Sequence, residues 1–480
     1  MLKHTKIVAT IGPACDKEEI LADMVKAGMN AARLNFSHGT HESHAEVVKR
    51  LRELEKITGE PVAVIQDLRG PKIRVGVLPE KGVEVKPKDM VVFNTAKMSY
   101  DGKEIPLDFP GLEKYLKTGE RMLIDDGRVE VKVDRIQDTR IFAEVIDGQI
   151  IGSNKGLNFP DSQLTDVSAL SDKDKDDLRL GVKLGVDYVA VSFISKAQDI
   201  LDIRFLIKKY EDELEIKNTN PILIIAKIER REAVENLDAI LETADGVMIA
   251  RGDLGLEVPA AEVPLVQKRI IDQARKLAKP AIVATQMLDS MQKNRRPTRA
   301  EVSDVANAVI DHADALMLSN ETAAGEHPVL VVETMADIIK TTEQSAYDDT
   351  GLPPVRKNVA KIDVAITELS RILAEEVKAK IILAASISGE TGRLISHVRP
   401  QLPILVATNT ERVQHQLNLS WGVRPFILPP CHSIEELVER SINYIKTNNL
   451  GKKNDLMIVV TGEPVGQAGH VNLVEVREIK

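Results

Sequence analysis

The chain has little cysteine: two residues, Cys15 and Cys431, in 480. That is no disulfide framework, and it fits a reducing, cytoplasmic setting. It has no excess of positive charge either. The formal net charge is −9, so the electrostatic footprint of a nucleic-acid binder is missing and no such partner is expected. Apolar runs long enough to cross a bilayer are also absent. Met1-Leu2-Lys3-His4 leads straight into a strand-like run rather than a signal-peptide core, so no membrane partner is expected. There is no short-period repeat and no low-complexity tract. Neither a Walker loop nor a dinucleotide fingerprint occurs, so any phosphate must be held by side chains and a metal. What is present is ordinary for a soluble globular protein: 43% hydrophobic and 29% charged residues. The length supports two or three domains, each with its own core.

The stretch Pro221-Ile222-Leu223-Ile224-Ile225-Ala226-Lys227-Ile228-Glu229 organises the rest. Its apolar run is too continuous for a half-exposed strand and too short for most helices. It is predicted to be a strand buried on both faces, as parallel strands are. Lys227 and Glu229 follow two residues apart, which puts both on one side of a strand.

Strand and helix patterns alternate on either side of it. Strands are predicted at 6–10, 30–35 and 62–67, with helices at 17–27 and 41–58 between them. From about 72 to 153 short Val-rich runs such as Val129-Glu130-Val131-Lys132-Val133 are broken by turn signals such as Asp125-Asp126-Gly127, which predicts an inserted all-β module. Alternation then resumes. Ser171 and Asp174 start a helix over 172–184 as a capping box, and the acidic run 172–177 reads as its solvated first turn. Thr298 and Glu301 form a second capping box. Five more strands are expected at 188–193, 222–227, 246–250, 281–285 and 315–318. Three before the insertion and five after it make eight, the count of a TIM (β/α)8 barrel. Residues 348–357, with Gly351 and Pro353-Pro354, read as a linker, and strands at 381–385, 403–407, 423–428 and 456–461 suggest a C-terminal α/β domain. The expected division is a barrel over 1–69 and 155–347, an inserted small β-barrel lid over 70–154, and a C-terminal α/β regulatory domain over 355–480.

Barrel enzymes work at the C-terminal ends of their strands. Six of the eight predicted strands end in polar residues. They supply Arg33, Asn35, Ser37 and His38; Asp67, Arg69, Lys72 and Arg74; Lys227 and Glu229; Arg251, Gly252 and Asp253; Thr285; and Ser319 and Glu321. Arg33, Lys227 and Arg74 suit a polyanionic substrate. Glu229 and Asp253 suit a hard divalent cation. Thr285, Ser319 and Glu321 are proton-capable groups. Together they fit phosphoryl transfer coupled to enolate chemistry.

Several blocks resemble pyruvate kinases: Thr5-Lys6-Ile7-Val8-Ala9-Thr10-Ile11-Gly12-Pro13, Asp67-Leu68-Arg69-Gly70-Pro71-Lys72-Ile73-Arg74, Ile225-Ala226-Lys227-Ile228-Glu229, Met248-Ile249-Ala250-Arg251-Gly252-Asp253-Leu254-Gly255, Ala284-Thr285-Gln286-Met287-Leu288 and Met317-Leu318-Ser319-Asn320-Glu321-Thr322-Ala323. The resemblance implies transfer of a phosphoryl group from phosphoenolpyruvate to ADP, giving ATP and pyruvate, the terminal step of glycolysis. It implies Lys227 and Arg33 on the phosphoryl group, and Arg251, Gly252, Asp253 and Thr285 around the substrate carboxylate. Thr285, Ser319 and Glu321 would be a proton relay, and Asn35, His38 and Arg74 would be nucleotide contacts. Glu229 and Asp253 would bind Mg²⁺ (or Mn²⁺). The family's monovalent-cation site maps to Asn35, Ser37, Asp67 and Leu68. Lys72 stands where K⁺-requiring members usually carry Glu, so K⁺ is not expected to be required. The loop holding Ser386, Ser388, Gly389 and Thr391 resembles the effector cradle, with Glu390 a departure from its usual pattern. A homotetramer and a phosphorylated effector are further implications. Two other readings remain: a metal-dependent aldolase or lyase of a 2-oxo acid, which would generally lack the lid and third domain, and a binding protein, which would be expected to have lost Lys227, Glu229, Asp253 or Thr285.

Overall fold

The computed structural model describes residues 3–164, 168–217, 220–348, 362–462 and 471–480. Eight parallel strands close into a barrel. In chain order they are Lys6–Ile11, Ala31–Asn35, Ala63–Leu68, Tyr188–Val191, Leu223–Ile228, Gly246–Ala250, Ala281–Ala284 and Ala315–Leu318. The first strand closes the ring by pairing with both the second and the eighth.

The fifth strand shows why such strands carry no alternation in hydrophobicity. All six of its residues are buried. Ile224, Ala226 and Ile228 face the helix layer and join the large outer core. Leu223 and Ile225 point inward and pack with Val8, Ile65, Met248, Ile282 and Met317. Lys227 continues the inward row, so the strand's period of two delivers it to the barrel mouth.

Helix starts follow local chemistry. The Thr40, Ser171 and Thr298 hydroxyls each accept from the backbone N–H three residues on, in reciprocal capping boxes. The acidic run after Ser171 is not simply a solvated turn. Asp174 and Asp177 are fully buried. Asp174 accepts from Gly70 N–H at 3.1 Å, and Asp177 pairs with His41 at 2.8 Å and Lys173 at 2.5 Å. Residues three apart share a helix face, and this face packs on the barrel. The seventh strand is one residue shorter than expected, because Thr285 and Gln286 take positive φ of 73° and 54°.

Between the third and fourth barrel strands lies the inserted module, a six-stranded sheet and a two-stranded ribbon. It has its own core, including Val75, Phe93, Leu107, Val131 and Ile141. The C-terminal domain is a five-stranded sheet in the order Val423–Ile427, Ile404–Thr408, Ile381–Ala385, Leu456–Thr461, Leu473–Glu478. The last strand is antiparallel, and sequence reading did not anticipate it. It is an edge strand with no fully buried residue, so it lacks the continuous apolar run that marks the others. Apart from Asp348, which ends a short 3-10 turn, the predicted linker lies outside the described residues.

The C-terminal domain plugs the lower end of the barrel. Leu419 is fully buried among the inward-facing strand residues, and the Tyr188 hydroxyl donates to the Gln416 carbonyl at 2.6 Å. Beside it, His415 bridges Glu55 at 2.7 Å and Asp187 at 3.2 Å, and Arg52 pairs with Asp187 at 2.7 Å. Burial opposes the imidazolium, but Asp187 and Glu55 outweigh it and push the His415 pKa up to about 9. A folded-state pKa above the ordinary value adds stability that is complete below pH ~6.5 and fades as pH rises through about 9. We expect His415→Gln to remove a stabilisation on the order of 3 kcal/mol. Thermal unfolding from pH 6 to 10 should show an alkaline loss in the parent that the variant lacks; parallel curves would contradict the assignment.

Candidate active site

With one end of the barrel plugged, the strand termini at the other end are the open surface. Four charged side chains meet there. Arg33 Nε pairs with Asp67 Oδ2 at 2.6 Å, and its Nη1 donates to the Thr10 hydroxyl at 3.0 Å. Lys227 Nζ reaches Asp67 Oδ1 at 3.1 Å and Glu229 Oε1 at 2.9 Å, and donates to the Ser192 hydroxyl at 2.6 Å. Lys227, Asp67 and Glu229 are 8%, 1% and 2% exposed, so water screens little of this interaction.

Burial opposes ionisation of Asp67, yet Arg33 and Lys227 hold its carboxyl below the usual range. Burial also opposes the Lys227 ammonium, and Asp67 and Glu229 overrule it and raise its pKa. Glu229 shifts the other way. Burial raises its pKa, Lys227 opposes that, and the Asp253 charge adds to it. A buried carboxylate facing a second carboxylate is short of positive charge. Glu229 is held in place by the Phe193 N–H at 3.0 Å.

Asp253 sits on the helical turn Arg251–Glu257 after the sixth strand. Its Oδ1 lies 3.1 Å from Lys72 Nζ. Lys72 therefore does not extend into solvent. It leans from the start of the insertion onto the barrel mouth. The Thr285 hydroxyl accepts from Gly252 N–H at 2.9 Å and donates to the Ala284 carbonyl at 2.6 Å. A β-branched residue at positive φ is rare. This one is braced further by Arg251, which donates to the Thr285 carbonyl at 2.7 Å and pairs with Asp304 at 2.7 Å. The Arg251 side chain thus shapes the loop. Glu321, 1% exposed, accepts from Ser319 N–H at 2.7 Å and Leu288 N–H at 3.2 Å. It ties the loops that follow the seventh and eighth strands together.

The remaining expected residues are peripheral to this cluster. Asn35 Oδ1 accepts from Ser37 N–H at 3.1 Å, and His38 is exposed. Arg74 donates to the Asn154 carbonyl at 2.8 Å at the base of the insertion. The Leu68 carbonyl accepts from Ser192 at 2.9 Å. Ser386, Ser388, Gly389 and Thr391 lie in the C-terminal domain, where Gly389, at φ 79°, caps the helix Glu390–His397. Thr10, Ser192 and Phe193 were missed. Phe193 turns at φ 59° where the fourth strand was expected to continue. A Ser directly after the apolar run Tyr188–Val191 was the available signal.

The pyruvate kinase barrel domain matches residues 2–332, and the pyruvate kinase alpha/beta domain matches residues 364–477. Pyruvate kinase of Geobacillus stearothermophilus is 40% identical over 482 residues, covering 100% of this chain and 81% of that one. The Clostridium acetobutylicum enzyme is 38% identical over 481 residues, covering 100% of both. The crystal structure of a pyruvate kinase from Cryptosporidium parvum has a TM-score of 0.92 at 34% identity, covering 100% of this chain and 96% of that one.

The chain belongs to the pyruvate kinase family. Its activity is phosphoryl transfer from phosphoenolpyruvate to ADP, giving ATP and pyruvate, the terminal step of glycolysis. The lyase and binding-protein readings are set aside.

The electrostatics of the mouth make one expectation about stability. Asp67→Asn would leave Arg33 and Lys227 with one carboxylate fewer in a buried setting. Breaking a buried pair from one side costs about 3–5 kcal/mol. The unfolding midpoint should fall by several degrees; a midpoint equal to the parent's would show that the cluster is not a net structural constraint.

Proposed function

We propose the following division of labour for the pyruvate kinase reaction in this chain. Lys227 and Arg33 neutralise the phosphoryl group as it leaves the enolate oxygen for a terminal phosphate oxygen of ADP. Asp67 positions both cations and, with Glu229, favours the charged form of Lys227. The Gly252 N–H and the Thr285 hydroxyl, beside Asp253 and braced by Arg251, receive the substrate carboxylate. Once the bond from phosphorus to the enolate oxygen breaks, the enolate takes a proton at carbon. Thr285 and Ser319 are the hydroxyls assigned to that delivery, and Glu321 holds their loops in register. Asn35, His38 and Arg74 contact the nucleotide, and the inserted module is the lid that excludes water from it. The observation that carries the proposal is the buried Lys227–Asp67–Arg33 chain with Glu229 on its flank.

Glu229 and Asp253 are the carboxylates that would hold Mg²⁺ or Mn²⁺. The residues fit the group. Each carboxylate has a lysine on it, and the two repel one another. Among the described residues, no cluster of three or more His, Cys, Asp or Glu could hold a metal, and Mg²⁺ is commonly bound through one or two carboxylates plus substrate oxygens and water. Bound there, the ion would supply charge to the phosphoryl and enolate oxygens. K⁺ is assigned no role. The Asp67 carboxylate is engaged by two cations, the Leu68 carbonyl by Ser192, and Lys72 adds a fixed charge nearby. The loop at Ser386–Thr391 is assigned a phosphorylated effector, with Ser and Thr hydroxyls ahead of a helix. A cytoplasmic homotetramer completes the proposal; no helix among the described residues is long and apolar enough to cross a membrane.

Lys227→Met should lower phosphoryl transfer by at least about 10²–10³, the range seen when one preorganised electrostatic group is removed. Proton exchange between pyruvate and solvent should survive better, because it needs Thr285 and Ser319. Turnover within tenfold of the parent would exclude Lys227 from the role. Separately, replacing K⁺ by a bulky quaternary ammonium at equal ionic strength should leave turnover within about twofold. More than tenfold activation by K⁺ would overturn the assignment, and Lys72→Glu is expected to create such activation.

A further inference from the structure

The helical turn Arg251–Glu257 carries Gly252 and Asp253 at its start, and the inserted module touches it at several points along its length. Where the chain enters the module, Lys72 Nζ lies 3.1 Å from Asp253 Oδ1. In the turn that holds Asp125, Asp126 and Gly127, a Cβ on Gly127 would stand 3.3 Å from Leu256 Cδ2, so the two elements are close there. Where the chain returns, Asn158 Nδ2 donates to Glu257 Oε1 at 3.0 Å. Asn158 ends the strand Leu157–Asn158, the edge of the inserted sheet beside Arg121–Ile124. Both crossings between barrel and module therefore close on one seven-residue element.

The contact between Asn158 and Glu257 is buried, the two residues being 3% and 5% exposed. Asn158 Oδ1 is buried with no hydrogen-bond partner, so among the described residues the carboxamide is held through Glu257. A buried amide left half-satisfied costs stability that an apolar side chain of the same size would not. Such a group calls for an explanation other than packing. Burial raises the Glu257 pKa, and the Asn158 amide is the largest influence opposing it. The backbone of Glu257 is fixed from the barrel, where Arg231 Nη2 donates to its carbonyl at 3.0 Å. Glu257 is thus tied to the barrel through its carbonyl and to the module through its carboxylate.

We propose that Asn158 and Glu257 form a latch that couples the position of the inserted module to the occupancy of the Arg251–Glu257 turn, with Glu257 a positioning residue for the reaction. The inference rests on the reading that Gly252 N–H receives the substrate carboxylate and that the module is a lid. At 1.5 Å per residue the turn is only about 10 Å long, and its internal hydrogen bonds make it move as one piece. A carboxylate drawn onto Gly252 shifts the start of the turn. The far end carries Asn158 with it, and the strand Leu157–Asn158 passes the shift to the sheet. Lys72 on Asp253 acts in the same way from the other crossing. Coupling of this kind is reciprocal, so a closed lid in turn holds Gly252 N–H and Asp253 where the substrate needs them. Glu257 then acts on turnover through geometry without touching substrate.

The test follows the lid directly. Spin labels at Lys132→Cys on the module and Glu53→Cys on the barrel, both exposed positions, report the lid position in a chain with Cys431→Ser. Cys15 is fully buried and stays as it is. Phosphoenolpyruvate with Mg²⁺ and no ADP, so that nothing turns over, should shift the label distance in the parent. Asn158→Asp sets a second carboxylate against Glu257. It should leave the distance at its substrate-free value and lower kcat/KM for phosphoenolpyruvate by at least about tenfold. Asn158→Asp combined with Glu257→Gln exchanges donor and acceptor. It should restore the shift and bring kcat/KM to within about threefold of the parent. Should Asn158→Asp fail to fold, Asn158→Leu, of similar size and without a donor, carries the same expectation. A shift unchanged in the single variant would overturn the latch and leave the lid standing. A shift lost in Asn158→Asp and not regained in the exchange would mark a packing role only and overturn the latch as well. No shift in the parent would overturn the lid reading, and the latch with it.

Discussion

Asp67 is the side chain on which the barrel mouth depends. One carboxylate, buried at the end of the third strand, accepts from two cations delivered by the second and fifth strands. Asp67 is the one carboxylate that both Arg33 and Lys227 share, and the two cations offset the burial that opposes its ionisation. The cluster is therefore preorganised. The positive groups are held by partners within the barrel, so in the proposed mechanism an incoming phosphate exchanges partners rather than forcing charges to gather.

Around that centre, backbone held in uncommon conformations sets the shape. Thr285 and Gln286 lie in the left-handed region, as does Phe193. Thr285 and Phe193 are each restrained by neighbours: Gly252 N–H on the Thr285 hydroxyl, Arg251 on the Thr285 carbonyl, and Glu229 on Phe193 N–H. Such strain persists only where the surroundings over-determine it. The hinge of the inserted module is tied in the same way, through Gly70 to Asp174 and through Lys72 to Asp253. Asn158 of the inserted sheet adds a further tie, donating to Glu257 at 3.0 Å.

Much of this was legible in the chain. The continuous apolar strands, the count of eight, the Val-rich insertion and two capping boxes each follow from short-range patterns, and the structure has them. Lys227 and Glu229 could be placed on one side because a strand repeats every two residues. Other features were not legible. The acidic run after Ser171 looked solvated, yet Asp174 and Asp177 are buried, because their face of the helix meets Gly70 and His41. The edge strand Leu473–Glu478 escaped because a half-exposed strand has no continuous run.

By itself the sequence determined the kinds of element, their order and the residues that could reach the strand ends, since periodicity and capping act over a few residues. Only the tertiary structure decided partners. Lys72 points at Asp253 rather than into solvent, Ser192 joins Lys227, and His415 bridges Glu55 and Asp187. These pairs are separated by 181, 35, 360 and 228 positions respectively. No local pattern encodes such separations. Closing the barrel and docking the C-terminal domain bring the charges together and exclude the water that would otherwise screen them.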